Sequence, residues 1–215
     1  MFGQAIKDLA ATPRIAPGIR NAILAAGLVA ATLPTAAAAQ YRSDGSTFLQ
    51  GVRDRDGDEV TKLLVDKQAA VIDTRDMRTG EGALHIVARR RDSAWLGFLL
   101  AQGARPDLRD GEGNTPLLIA ATIGFSEGVD TLLKRGANVD LANNTGETPL
   151  IRAVQARDLD TVRLLVAAGA DPARRDAAAG LSARDYAARD TRSSVILKVL
   201  EEAKPKAKAT MGPSL

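Results

Sequence analysis

The pairs Gly103-Ala104, Gly136-Ala137 and Gly169-Ala170 stand 33 residues apart, and the apolar pairs before them, Leu99-Leu100, Leu132-Leu133 and Leu165-Val166, keep the same step. Leu84, Leu117 and Leu150 follow it too. A fixed period of this length marks a stack of supersecondary units, each too small to bury its apolar face alone and each dependent on the next for its core. The best-formed unit begins at Asp110 as DGEGNTPLLIAATIGFSEGVDTLLKRGANVD, and its skeleton returns from Asn143 as NNTGETPLIRAVQARDLDTVRLLVAAGADP. With 45% hydrophobic residues the chain has enough apolar surface to fill such a stack.

Within each unit the residue types have separate physical reasons. Thr115 and Thr148 can cap a first helix through the hydroxyl. Pro116 and Pro149 follow at the first helical position, where a missing N–H costs nothing. Leu117, Ile119, Ala120 and Ala121 supply its packed side, the alanines letting a neighbour approach closely. Gly136 and Gly169 sit where a helix ends in a left-handed residue. Gly80, Gly113 and Gly146 mark the turns between units.

These segments resemble ankyrin repeats: a turn, TPLHxA opening a first helix, a second helix ending in LL, then GA leading to the next hairpin. The resemblance implies an all-α solenoid of about five helix-turn-helix units joined by β-hairpin connections. The units span residues 45–76, 77–109, 110–142, 143–176 and 177–203. The second replaces Thr-Pro by Gly82-Ala83, and the outer two are degenerate, as terminal units with a water-facing side must be. In the first, TFLQGVRDRDGDEVTKLL reaches Leu63-Leu64, 36 residues before Leu99, which predicts an insertion in the first linker.

The ends differ from the repeats. Lys7, Arg14 and Arg20 precede an apolar run over residues 22–33, then Pro34, Thr35 and four alanines. This is the pattern of a secretory signal peptide over residues 1–39, cut between Ala39 and Gln40, because twelve apolar residues are short of the ~20 a spanning helix needs. A short linker, 40–44, follows, and a Lys-rich tail, 204–215, is expected to be disordered. The formal charge of +3 resides in these ends, since residues 40–200 carry 23 basic and 23 acidic side chains. The charge therefore gives no reason to expect nucleic acid, and after cleavage none to expect a membrane. The mature chain is expected in the periplasm or secreted, as a monomer.

Catalytic chemistry finds little to work with. There is no Cys, which excludes thiolate metal sites, disulfides and cysteine nucleophiles. Asp54, Asp56 and Asp58 have calcium-loop spacing, but Glu59 stands where that loop needs Gly and Val65 where it needs Glu. Gly111 and Gly113 begin a dinucleotide-like string that Pro116 interrupts. No GxSxG is present. His85 is the lone histidine, and at the H of TPLHxA the resemblance implies a structural imidazole bonded to a neighbouring hairpin backbone. No catalytic residue, metal or cofactor is expected.

What remains is a recognition surface. Trp95 and Phe98 share a helix face and are read as inter-repeat core. In the frame where the resemblance places the variable surface stand Arg53, Arg89, Arg90, Thr122, Ile123, Gln155 and Arg189. Asp76, Arg78, Glu81, Asp110, Glu112, Asn114 and Glu147 occupy the hairpin tips. Together they suggest a basic palm beneath acidic fingers. Arg55-Asp56, Arg91-Asp92 and Arg157-Asp158 share one register at the inter-helix turn and are read as partly structural. The expected function is a non-catalytic, exported adaptor that binds a protein partner. The alternatives are an accessory factor protecting a periplasmic enzyme under stress, or an effector secreted to a host.

Overall fold

A seven-residue helix is too short to persist alone in water, and four of the helices here have that length. The computed structural model describes residues 43–203 and shows what holds them. Among these residues α1 (Asp44–Asp54) pairs with α2 (Gly57–Val71), α3 (Ala83–Arg89) with α4 (Ser93–Ala101), and α5 (Pro116–Thr122) with α6 (Ser126–Lys134). Next, α7 (Pro149–Gln155) pairs with α8 (Leu159–Ala167), and α9 (Ala183–Arg189) leads through a 3-10 turn, Thr191–Ser193, to α10 (Ser194–Glu202).

First helices stack on first helices, α1 to α3 to α5 to α7 to α9, and second helices on second helices from α4 to α10. The core runs between the two layers as a repeated leucine column. Leu84, Leu117 and Leu150 contribute from the first layer and Leu99, Leu132 and Leu165 from the second, all buried. Burial of a leucine contributes roughly 1.5–3 kcal/mol, so each repeat is held by packing against the next. The result is an all-α repeat solenoid.

Helix starts follow the sequence. The hydroxyls of Thr115 and Thr148 each accept the backbone N–H three residues on, at 3.2 Å, with Pro116 and Pro149 at the first helical position. Helix ends use Gly103, Gly136 and Gly169 at φ 88°, 83° and 87°, a region in which a side chain would be strained. The connections contain no strand among the described residues. Two hold an isolated antiparallel bridge, Arg75 to Gly82 and Arg175 to Ser182. The hairpins of the sequence reading are thus turns closed by single backbone bonds such as Asp76 to Glu81 at 2.8 Å and Asp110 to Asn114 at 2.9 Å.

The first unit departs from expectation. Its extra residues lie in α2, not in the linker: α2 has 15 residues where α4, α6, α8 and α10 have nine. The helix breaks geometry at Lys67 (φ −145°, ψ 30°) and then buries Val71. Packing of that residue makes the added turn part of the core. The predicted leader of residues 1–39, its cut, and the tail of residues 204–215 lie outside the described residues. No helix among the described residues is long and apolar enough to cross a membrane.

Candidate functional site

Successive connection tips are tied to one another by backbone bonds. Gly111 donates to Thr79 at 2.9 Å, Asn144 to Glu112 at 3.0 Å, and Ala177 to Thr145 at 2.8 Å. Gly113 shows why a glycine is needed there: its φ is 80°, and a Cβ would collide with the Asn144 amide oxygen. Within a tip, Asp110 accepts the backbone N–H groups of Glu112 (2.9 Å) and Asn114 (2.8 Å), and Asn143 does the same for Thr145 and Glu147. The tips form a pre-organised row.

His85 joins that row to the first helices. Its Nδ1 accepts the Gly82 N–H at 3.0 Å, so its Nε2 carries the proton and donates to the Asn114 carbonyl, also at 3.0 Å. The ring is fully buried, and burial holds its pKa below the ordinary histidine value. A neutral ring with both nitrogens occupied is a bracket between the second and third units, not a general base.

Between the row of tips and the first helices lies a groove of about 620 Å³. Thr122, Ile123, Leu118 and Ile119 of α5 and its C-cap form the floor. Arg89, Glu112, Asn143, Glu147 and Arg152 form the walls. A second cavity of about 500 Å³ shares Arg89, Gly111 and Glu112 with it and reaches Arg78 and Asp110. Of the predicted surface residues, the structure brings Arg89, Glu112, Asn114, Thr122, Ile123 and Glu147 together in the groove. Arg78 stands exposed on the next tip, and Gln155 and Arg189 are exposed at the ends of α7 and α9.

The basic palm is not open. Arg53 pairs with Asp76 at 2.8 Å and Arg89 with Glu81 at 2.7 Å, so acidic fingers neutralise the arginines beside them. Arg90 is spent on the Val52 and Arg53 carbonyls and on Asp92. The Arg78 backbone N–H and the Arg53 guanidinium hold the Asp76 pKa down to about 2. Periodicity could place these side chains on one surface, but it could not show that each would find a carboxylate.

The turn register has a geometry of its own. Arg55, Arg91 and Arg157 are the only non-glycine residues with positive φ among those described, at 61°, 57° and 56°. From that position Arg55 reaches Asp92 of the next unit at 2.5 Å and Arg157 reaches Asp190 at 2.5 Å. The Arg157 hydrogen bond is the main cause holding the Asp190 pKa at about 2. Asp56, Asp92 and Asp158 also cap α2, α4 and α8. The third unit has Gly124-Phe125 instead, so Arg91 meets only the Gly124 carbonyl. These turn arginines are structural.

Sequence reasoning missed Arg152. Its guanidinium bonds Glu147 at 3.2 Å and the Thr122 hydroxyl at 3.2 Å, closing one end of the groove. The signal was available, since Arg152 lies one turn before Gln155 on the same helix. Trp95 and Phe98 are half-buried, in edge-to-face contact with centroids 5.9 Å apart. They line a shallow cleft of about 280 Å³ with Gly57 and Thr61 on the outer layer, so they are only partly inter-repeat core. Residues 84–176 match a family model described as ankyrin repeats, in three copies.

Proposed function

Since this chain is an ankyrin-repeat protein, and such repeats are generally non-enzymatic modules for protein–protein interaction, we propose that it is an exported adaptor that holds a protein partner in the groove over α5 and α7. The observation that carries this reading is the groove itself. Its floor is aliphatic, its walls are held in place by ion pairs and by the bonded row of tips, and nothing else in the described chain fills it. A surface already rigid loses little entropy on binding, which favours recognition.

Export rests on the basic leader, apolar run and alanine stretch of residues 1–39. A photoreactive amino acid at Thr122 gives a discrete crosslinked adduct in living cells, and the same group at Asp160, on the outer layer, gives none. Adducts from Asp160 alone would move the site to the other face. N-terminal sequencing of the fractionated protein starts at Gln40 if the leader is cut. A cytoplasmic chain retaining Met1 would refute export.

A further inference from the structure

The third unit differs from its neighbours in the charge it presents to the groove. In the second unit Glu81 pairs with Arg89, and in the fourth Glu147 pairs with Arg152. The equivalent places in the third unit are Asn114, Thr122 and Ile119. The Thr122 hydroxyl donates to the Leu118 carbonyl at 2.8 Å and accepts from Arg152, so both of its hydrogen-bonding roles are taken. The centre of the floor is therefore the Thr122 methyl and Ile123, with an ion pair on either side. An ionised group placed there would lose water without gaining a partner, which disfavours it.

The rim has the opposite property. Four carboxylates, Glu81, Asp110, Glu112 and Glu147, line the groove and its continuation, against three guanidiniums, Arg78, Arg89 and Arg152. Among the described residues Asp110 and Glu112 have no cation within 4 Å. Their side-chain donor is the Asn114 amide, at 3.1 Å from each. One carboxylate is in excess, and it lies on the tip of the same unit whose floor is neutral.

On the reading that the groove is the binding site, we infer that it takes an extended segment of a partner protein bearing one uncharged aliphatic side chain, with a single Lys or Arg near it. The aliphatic group seats on Thr122 and Ile123. The cation lies against Asp110 and Glu112. An acidic segment would meet the excess carboxylate, and a highly basic one would add charge that the paired rim cannot absorb.

The test is a random dodecapeptide phage library panned on the full chain, with recovered peptides synthesised and measured by fluorescence anisotropy. Peptides that bind are expected to carry an aliphatic residue with Lys or Arg within about four positions, the reach of an extended chain at ~3.3 Å per residue across the groove. Ile123→Glu weakens them by at least about tenfold, and Glu112→Lys does the same, as expected for a charge reversal at a rim pair. Replacing the peptide's basic residue by Glu restores binding to Glu112→Lys. Circular dichroism of both variants shows that they stay folded. Peptides that lose affinity to Ile123→Glu but are indifferent to Glu112→Lys, or that share an acidic pattern, overturn the inference and leave the groove standing. If no peptide responds to Ile123→Glu, the groove itself is wrong.

Discussion

The third unit and its two neighbours are built on one frame and held by different forces. In the second and fourth units an aspartate caps the outer helix: Asp92 accepts the Trp95 N–H and Asp158 the Thr161 N–H, each at 3.2 Å. In the third, Phe125 takes the cap position, gives α6 no side-chain bond, and is buried beside Gly128, whose lack of a Cβ makes room for the ring. Polar capping has been exchanged for core. The same unit has a neutral groove floor where its neighbours have ion pairs. A solenoid tolerates this because each unit needs only matching neighbours, and the leucine column passes through without a break.

The comparison can be broken most forcefully at Phe125. Phe125→Ala is expected to lose about 3–5 kcal/mol in urea unfolding, as large-to-small core changes do. Phe125→Asp should recover only about 1 kcal/mol of that through the new cap. If Phe125→Asp equals wild type, the ring is not core.

Next come the aspartates. Asp92 is buried, caps α4 and receives both Arg55 and Arg90, and its pKa is lowered even though burial opposes it, because the Trp95 N–H and the two arginines outweigh burial. Asp92→Ala is expected to cost about 2–3 kcal/mol, since it removes the α4 cap and the carboxylate shared by the half-buried Arg90 and the exposed Arg55. Asp158 receives no arginine within 4 Å among the described residues, but it accepts the buried Thr161 hydroxyl at 2.6 Å as well as capping α8, so Asp158→Ala should cost about 1–2 kcal/mol, less than Asp92→Ala. Equal losses at the two positions would remove the inter-unit pairs from the account.

His85 gives a pH signature that the third and fourth units lack, since Leu118 and Ile151 occupy its place there. Its folded pKa lies below the unfolded value near 6.5, so the unfolded chain binds the proton more readily. Its contribution is complete above that value and is lost as pH falls below it, when Nδ1 can no longer accept the Gly82 N–H. Stability measured between pH 7 and 5 should fall by at most about 2 kcal/mol, the ceiling for one group at about 1.4 kcal/mol per pH unit below 6.5, and His85→Gln should flatten the slope. An unchanged slope in that variant would assign the titration elsewhere.

The smallest effect is expected at Gly124. Gly124→Arg would put an arginine at φ 65°, the conformation Arg55, Arg91 and Arg157 already hold, within reach of Asp158. The left-handed backbone costs about 1 kcal/mol and an exposed ion pair returns up to about the same. A net change within about 1 kcal/mol in either direction fits. A larger loss would mean that the turn cannot accept a side chain in this unit.

Much of this was legible because the signals are local. A threonine three residues before the N–H it caps, a proline beside it and a glycine after a leucine pair all act within one turn of chain, so Thr115, Pro116, Gly136 and their copies read directly from the sequence. The break in register at Gly124-Phe125 is equally visible. What it does is not, because burial of Phe125 depends on where the neighbouring layer sits. The groove was half legible for the same reason: periodicity put Thr122, Ile123 and Glu147 on one surface, while Arg152 and the pairing of Arg53, Arg89 and Arg90 depend on contacts that span up to 38 residues.

The sequence by itself determined the period, the helix pairs, the caps and stops, and the lack of any thiol chemistry, since each follows from residue type and spacing. Only the tertiary structure decided which charges were free. A guanidinium on a long side chain can reach its own unit, the next unit or solvent, and the choice is made by the distance between stacked repeats. Here that distance lets acidic tips and turns take up Arg53, Arg55, Arg89, Arg90, Arg152 and Arg157, leaving a neutral floor under an excess carboxylate.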